Sequence, residues 1–179
     1  MTRLTARRRN GALLPASALF GLALILFGLC QGPPECILSG LRTIITMEDV
    51  LITDYIAVAG IGAAFVNAGM VTLISAAILW LLDDTPNGAT MVTIGLMSGF
   101  ALFGKNIANI WPILGGTALY ALVQGEGLSR HVNVALRTTA LSPVVSFLAV
   151  RFHPWLGVAA GLLIGFVTPP VAEHAHRVQ

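Results

Sequence analysis

The longest stretch of this sequence without a charged side chain runs from Tyr55 to Leu82, and five further apolar stretches accompany it. The six hydrophobic segments cover residues 12–30, 55–82, 89–103, 112–123, 132–150 and 155–168. Only 10% of the residues are charged, against about 25% in a typical soluble domain, so the chain has too few polar side chains to cover a water-soluble globule. This pattern predicts an all-α polytopic transmembrane protein and argues against a soluble enzyme. The net charge of +2 is too small for a nucleic-acid-binding surface.

The basic N-terminus, residues 1–11, sets the expected orientation. Arg3 and Arg7–Arg9 precede the first apolar segment, which is long enough to span a bilayer and is followed by no small-residue cleavage site. We therefore expect an uncleaved first helix with a cytoplasmic N-terminus. With six spans, seven basic residues fall inside and three outside, as expected for a multi-pass protein of the cell membrane, inner or plasma.

Several segments do not fit straight spans. A straight helix over 55–82 would measure about 42 Å against a hydrocarbon core of about 30 Å, so glycines within it favour a bent or broken element. Segments 89–103 and 112–123 would reach only about 22 Å and about 18 Å as helices, which is too short to cross. We expect some segments to be broken or re-entrant.

Prolines and turn-forming residues predict where the segments end. Pro33-Pro34-Glu35 makes residues 31–52 a polar connection, and residues 83–88, with Pro86-Asn87-Gly88, form a turn. Pro143 is expected to interrupt segment 132–150, and Pro169-Pro170 to end segment 155–168.

The most informative polar sequence lies between segments 89–103 and 112–123, both too short to cross alone, where Lys105, Asn106 and Asn109 occur within five residues. Non-helical backbone at membrane depth is tolerated only inside protein or beside a water-filled cavity, and transporters build binding sites at such helix breaks. One hypothesis is that these three side chains line a path for a solute or ion. The alternative is an outer loop in which Lys105 reaches the interface and Trp111 anchors there.

Asp54 and Asn67 are the second candidates. Asp54 precedes the longest segment, on the same predicted side as Lys105, so an Asp54–Lys105 ion pair is one arrangement; a helix N-cap is the other. Asn67 lies about 20 Å further along the segment if it is helical. It contributes either to the path or to interhelical hydrogen bonding alone.

The sequence contains no recognisable catalytic, metal or cofactor motif. Cys30 and Cys36 are expected to be unpaired, with one disulfide as the alternative, and two cysteines are too few for a metal framework. The four histidines are scattered, and Glu173, His174 and His176 are expected to form a solvated tail. We therefore expect no catalytic residues, no metal, no cofactor and no enzymatic activity.

Glycine spacing is the remaining pattern. The sequence Gly95-Leu-Met-Ser-Gly99-Phe is echoed 66 residues later by Gly161-Leu-Leu-Ile-Gly165-Phe. Glycines four apart let membrane helices approach closely, so common packing faces explain the echo, with a duplicated unit as the alternative.

Several motifs resemble one family. The runs Leu51-Ile-Thr-Asp-Tyr55 and Phe103-Gly-Lys-Asn106, continuing through Asn109-Ile-Trp-Pro112, are similar to sequences of domain of unknown function 1576, as is Gly165-Phe-Val-Thr-Pro-Pro170. The similarity covers roughly residues 35–179. It implies an uncharacterised prokaryotic polytopic membrane protein, and since members are longer it also implies that this chain is an N-terminal part.

The sequence thus predicts a single membrane domain over residues 1–179. The leading hypothesis is a transporter or channel for a small polar solute or ion, and the alternative is a non-transporting component that packs against a partner. The expected partners are the lipid bilayer, an unidentified solute or ion, and either further copies of the chain or a missing C-terminal half; no nucleic acid is expected.

Overall fold

The computed structural model describes residues 12–50, 52–82 and 87–177, and its regular secondary structure is helical. The α-helices are α1 Leu13–Leu29, α2 Pro34–Thr46, α3 Tyr55–Ala59, α4 Ile61–Leu81, α5 Gly88–Phe100, α6 Trp111–Gln124, α7 Val132–Thr138, α8 Ser142–Arg151 and α9 Pro154–Arg177. Two short 3₁₀ turns cover Leu128–Arg130 and Thr139–Leu141. The all-α prediction is confirmed for these residues.

The described residues hold fewer candidate membrane spans than the six hydrophobic segments that the sequence predicts. By length and composition, three stretches of the described chain can each cross a bilayer: Ile61–Leu81, Val132–Arg151 and Pro154–His174. Helices α1 and α2 together would provide a fourth, but they meet at a bend of 117°. Helices α5 and α6, with 13 and 14 residues, are each too short to cross alone. The apolar helices fit a membrane protein with three or four candidate spans.

The break expected within 55–82 is present between α3 and α4. Gly60 adopts φ 85°, a left-handed conformation that side chains with a Cβ rarely tolerate, and this residue separates the two helices. The expected interruption at Pro143 is also present, because α7 passes through the 3₁₀ turn into α8, whose first turn holds the proline. Of the predicted turn at 83–88, residues 83–86 lie outside the described part, and Asn87 caps α5.

The prediction of a polar connection over 31–52 is wrong for residues 34–46. Pro33 does stop α1 from continuing, but Pro34 starts a helix of 13 residues, since proline suits the first helical turn. Ile37 and Ile44 are buried on one face of α2, and Leu41 packs beside Ile44. Their spacing of three to four residues is a helical signal that the flanking charges obscured.

The prediction that Pro169-Pro170 ends the last helix is also wrong, because α9 continues to Arg177. A proline at 169 cannot donate to the carbonyl of Gly165, which would leave that oxygen unsatisfied. The hydroxyl of Thr117 on α6 donates to this carbonyl at 2.9 Å. A neighbouring helix therefore supplies one hydrogen bond that the proline removes, as happens in membrane helices.

Glycines bring several helix pairs into backbone contact, among them α1–α4 and α6–α9. On α1 and α4, Gly28 and Gly62 face each other so closely that a Cβ on Gly28 would lie 2.6 Å from the Gly62 carbonyl. On α6 and α9, a Cβ on Gly165 would lie 1.9 Å from the Ile113 carbonyl oxygen. By contrast, Gly95 and Gly99 on α5 face open space. The two echoed glycine motifs therefore have different environments.

Candidate functional site

The chain between α5 and α6, residues 101–110, forms a folded connection inside the protein. Gly104 turns the backbone with φ 90°. The Asn106 side-chain oxygen accepts from the backbone amides of Ala108 and Asn109 at 2.9 and 3.0 Å, and the Asn109 oxygen accepts from the Asn106 amide at 2.9 Å. The two asparagines thus replace the helical hydrogen bonds that this segment lacks.

Lys105 is buried, not exposed at an interface. Its side chain is 1% exposed, its Nζ lies 3.1 Å from the Met97 sulfur, and its Nζ lies 5.4 Å from the centre of the Phe100 ring. No carboxylate in the described residues forms an ion pair with it. Because an unpaired buried charge is costly, Lys105 is an unusual residue for a purely structural role.

Asn67 connects α4 to this segment. Its side-chain nitrogen donates to the carbonyls of Ala101 and Lys105 at 2.7 and 2.9 Å, where the backbone leaves α5. Asn67 is fully buried, and its Oδ1 has no hydrogen-bond partner. Asn67 therefore contacts the backbone of the segment that holds Lys105, Asn106 and Asn109.

A buried carboxylate, Asp49, completes the site. The Tyr55 hydroxyl donates to its Oδ2 at 3.0 Å and Asn109 Nδ2 lies 3.4 Å from the same oxygen, while Asn109 also donates to the Ser146 hydroxyl at 2.9 Å. Asn106 in turn donates to the Tyr55 hydroxyl at 3.2 Å. We call Asp49, Tyr55, Asn106, Asn109 and Ser146 the polar cluster.

Sequence reasoning missed Asp49, because a charge within a predicted polar connection is usually solvent-facing. Its segment lies outside the candidate membrane spans. Burial raises the pKa of the Asp49 carboxyl from its ordinary value near 4 to about 6, and hydrogen bonds from Ser146, Tyr55 and Asn109 oppose that rise. The carboxylate is fully buried and lies at one wall of a cavity of about 240 Å³. The other cavity walls are Val50, Pro143, Val144 and Phe147.

Asp54 is not part of the polar cluster. Its side chain is exposed and accepts from the backbone amides of Ile56 and Ala57 at 2.9 and 3.2 Å, which makes it the N-cap of α3. The Asp54–Lys105 ion pair is not formed. The neighbouring backbone does reach the site, because the Tyr55 amide donates to the Leu102 carbonyl at 3.1 Å.

A second group of ionisable side chains lies at the other end of α6. His131 is buried, and its Nε2 lies 2.7 Å from Glu126 and its Nδ1 3.9 Å from Glu173. Glu173 was predicted to be in a solvated tail; it belongs to α9 and packs beside His131 instead. The ligand atoms of this trio lie within 4.8 Å of one another, but Arg130 already pairs with Glu126 and the two carboxylates approach different ring nitrogens. These contacts indicate a structural network of ionisable side chains, in which Glu173 links α9 to His131 in the chain between α6 and α7.

Cys30 and Cys36 are both exposed and free, in agreement with the preferred prediction.

No curated protein and no solved structure matches this chain. One family model does match, over residues 33–179, and this range includes the whole polar cluster and Lys105. The match covers most of the chain, in the region where the sequence motifs placed it. The chain therefore belongs to the family described as "Protein of unknown function (DUF1576)".

Proposed function

We propose that this membrane protein is a transporter or channel for a small polar solute or ion. The observation that carries the proposal is the burial of two ionisable side chains that form no ion pair with each other, Lys105 in the 101–110 connection and Asp49 in the connection between α2 and α3. Stability alone gives little reason to keep such groups, since apolar residues of similar volume pack at lower cost. Ionisable residues in this setting commonly mark substrate or ion pathways.

The side chains of the site divide between two roles. The polar atoms of Asn106 are all engaged by protein: the oxygen by two backbone amides, and the nitrogen by Tyr55 and the Ile44 carbonyl. Asn106, with Asn109, fixes the shape of the connection. Lys105 and Asp49 then supply charge to the path, and Asn67 Oδ1 supplies an acceptor that no protein group occupies.

Reconstituted liposomes provide the test. Purified chain is placed on a solid-supported membrane, and currents are recorded after concentration jumps of single alkali cations, amino acids and small carboxylates. We expect a current with at least one solute, and a decrease of about tenfold or more in Lys105→Met, which keeps side-chain length and packing but removes the charge. The matched control is Arg42→Met, an exposed cation on α2. No current with any solute, or equal currents from wild type and Lys105→Met, would overturn the proposal.

A second candidate function is that of a non-transporting assembly component. One specific feature favours it: Val92, Gly95, Leu96, Gly99 and Phe100 form an exposed stripe on α5, and its two glycines face open space. In membranes this spacing allows two helices to pack closely. A second copy of the chain is the partner that we would test for.

A cysteine at Leu96 tests this candidate in native membranes, in a background with Cys30 and Cys36 changed to serine. Disulfide-linked dimers from Leu96→Cys, but not from the exposed Trp80→Cys on α4, would favour assembly through α5. Equal cross-linking at both positions would indicate random collision and remove this candidate.

A further inference from the structure

The two oxygens of the Asp49 carboxylate have different environments. Oδ2 accepts a hydrogen bond from the Tyr55 hydroxyl and lies near Asn109 Nδ2, whereas Oδ1 is buried with no hydrogen-bond partner. A buried carboxylate oxygen usually has a partner, because leaving one unsatisfied costs about 1–3 kcal/mol or more. Oδ1 is therefore available to bind something from outside the chain.

No basic side chain in the described residues compensates the charge of Asp49. The ion pairs that the structure forms involve Glu126 and Glu173, far along the chain from Asp49. The buried cation Lys105 directs its ammonium to Met97 and Phe100 instead. The groups around Asp49 are the neutral donors Tyr55, Asn109 and Ser146. A positive charge that is not part of the protein would balance this site.

A second unpartnered oxygen lies on α8. The Ser142 hydroxyl is buried without a hydrogen-bond partner, one helical turn before Ser146 and therefore on the same face of α8. Pro143, the next residue, shares the walls of the cavity of about 240 Å³ with Asp49. One wall residue, Asp49, thus carries an oxygen without a partner, and another, Pro143, directly follows a residue that does.

Oxygen ligands with one negative charge suit a hard cation of low charge. Softer transition metals favour nitrogen and sulfur ligands, and dedicated Ca²⁺ sites usually gather several carboxylates. We propose that Asp49 Oδ1 and Ser142 Oγ form part of a binding site for a monovalent cation of the Na⁺ type, reached through this cavity. The idea that this cation is transported together with the solute rests on the proposed function. The binding site itself does not depend on that function.

Direct binding of ²²Na⁺ tests the site. The purified full chain in detergent micelles is titrated with ²²Na⁺ at constant ionic strength, with choline chloride as the replacement salt because choline is too bulky for a closed oxygen site. We expect saturable, stoichiometric binding to wild type and a loss of about tenfold or more in affinity for Asp49→Asn. The matched control is Asp54→Asn, which makes the same change at an exposed carboxylate. Asparagine is also a favoured N-cap residue, so α3 keeps its cap and we expect ²²Na⁺ binding to be unchanged.

Two further measurements keep the test decisive. If Asp49→Asn does not fold, Ser142→Ala provides the second variant, with Ser39→Ala on the exposed face of α2 as its control. No saturable ²²Na⁺ binding to wild type, unchanged affinity in folded Asp49→Asn, or unchanged affinity in Ser142→Ala would each overturn the proposal. Solute currents without ²²Na⁺ binding would overturn the cation site and leave the proposed transport function standing. Binding of ²²Na⁺ without any current would support the cation site and overturn the proposed transport function.

Discussion

At the scale of single residues, the polar cluster depends on side chains that both donate and accept. The Tyr55 hydroxyl donates to Asp49 Oδ2 and accepts from Asn106 Nδ2, so it joins the 47–54 connection to the 101–110 connection. Each bond in isolation contributes about 1 kcal/mol, but removing one partner leaves the others buried and unsatisfied. The two connections are therefore expected to lose stability together.

Tyr55→Phe is the substitution that isolates this hydroxyl, because the ring keeps its packing. We expect the free energy of unfolding in detergent micelles to fall by about 1–3 kcal/mol, since Asp49 and Asn106 each lose a partner. The measurement is a denaturant titration followed by near-ultraviolet circular dichroism. Tyr120→Phe is the matched control, because the Tyr120 ring packs on His131 and Phe166, outside the polar cluster. Equal stability of the two variants would show that the Tyr55 hydroxyl contributes nothing.

The sequence identified part of this site and missed its carboxylate for a physical reason. Lys105, Asn106 and Asn109 were identifiable because polar residues between two short apolar segments are costly unless they are sheltered. Asp49 contacts Asn109 across 60 residues of chain, and nothing in its local sequence predicts that contact. Conversely, Asp54 was the carboxylate that the sequence favoured, because it directly precedes the longest apolar segment. Its side chain instead accepts hydrogen bonds from the first amides of α3 and takes no part in the site.

At the scale of helices, glycine contacts explain how short elements hold together without large side chains between them. On the α6–α9 pair, Gly116 faces the Leu162 carbonyl, and Gly165 faces the Ile113 carbonyl. In lipid, apolar burial does not drive helices together, so close backbone packing must do so. The glycine faces of α1, α4, α6 and α9 are thus occupied within one molecule.

Gly165→Ala and Gly95→Ala form a matched pair that tests this interpretation. At 165 the new methyl group would lie 1.9 Å from a backbone oxygen, so α6 and α9 must separate, at an expected cost of about 1–3 kcal/mol or more. At 95 the methyl group meets open space, and alanine should stabilise the helix by about 0.5–1 kcal/mol. Thermal unfolding in micelles measures both. Equal destabilisation at the two positions would contradict the packing described.

The positions where helices break or continue show when the local preferences of glycine and proline decide the structure and when a tertiary contact does. Gly60 and Pro143 mark breaks as their backbone preferences predict, since φ > 0 and a missing amide are local properties. Pro169 does not end α9, because the Thr117 hydroxyl from another helix bonds to the carbonyl that the proline leaves free. That contact spans 48 residues and leaves no trace in the sequence around the prolines.

At the scale of the whole molecule, apolar length indicates a membrane protein, but it gives six segments where the described helices offer three or four candidate spans. Segment counting treats every apolar stretch as a potential span, whereas α5 and α6 pack around a buried connection and α1 and α2 bend apart by 117°. How far each short helix enters the bilayer depends on its neighbours, which hydropathy does not describe. The side of the membrane that each connection faces is therefore the quantity to measure.

The two native cysteines, Cys30 and Cys36, report on one connection because both are exposed around the α1–α2 bend. If α1 crosses the bilayer alone from a cytoplasmic N-terminus, as the sequence predicts, Cys30 and Cys36 lie on the outer side, and a membrane-impermeant maleimide should label them in intact cells. The control is Ser129→Cys in a Cys30→Ser/Cys36→Ser background, which places a thiol on the exposed connection beside Arg130, expected inside. It should be labelled only after permeabilisation. Labelling of Ser129→Cys in intact cells, with the native cysteines protected, would contradict the predicted topology and place Cys30 and Cys36 on the cytoplasmic side.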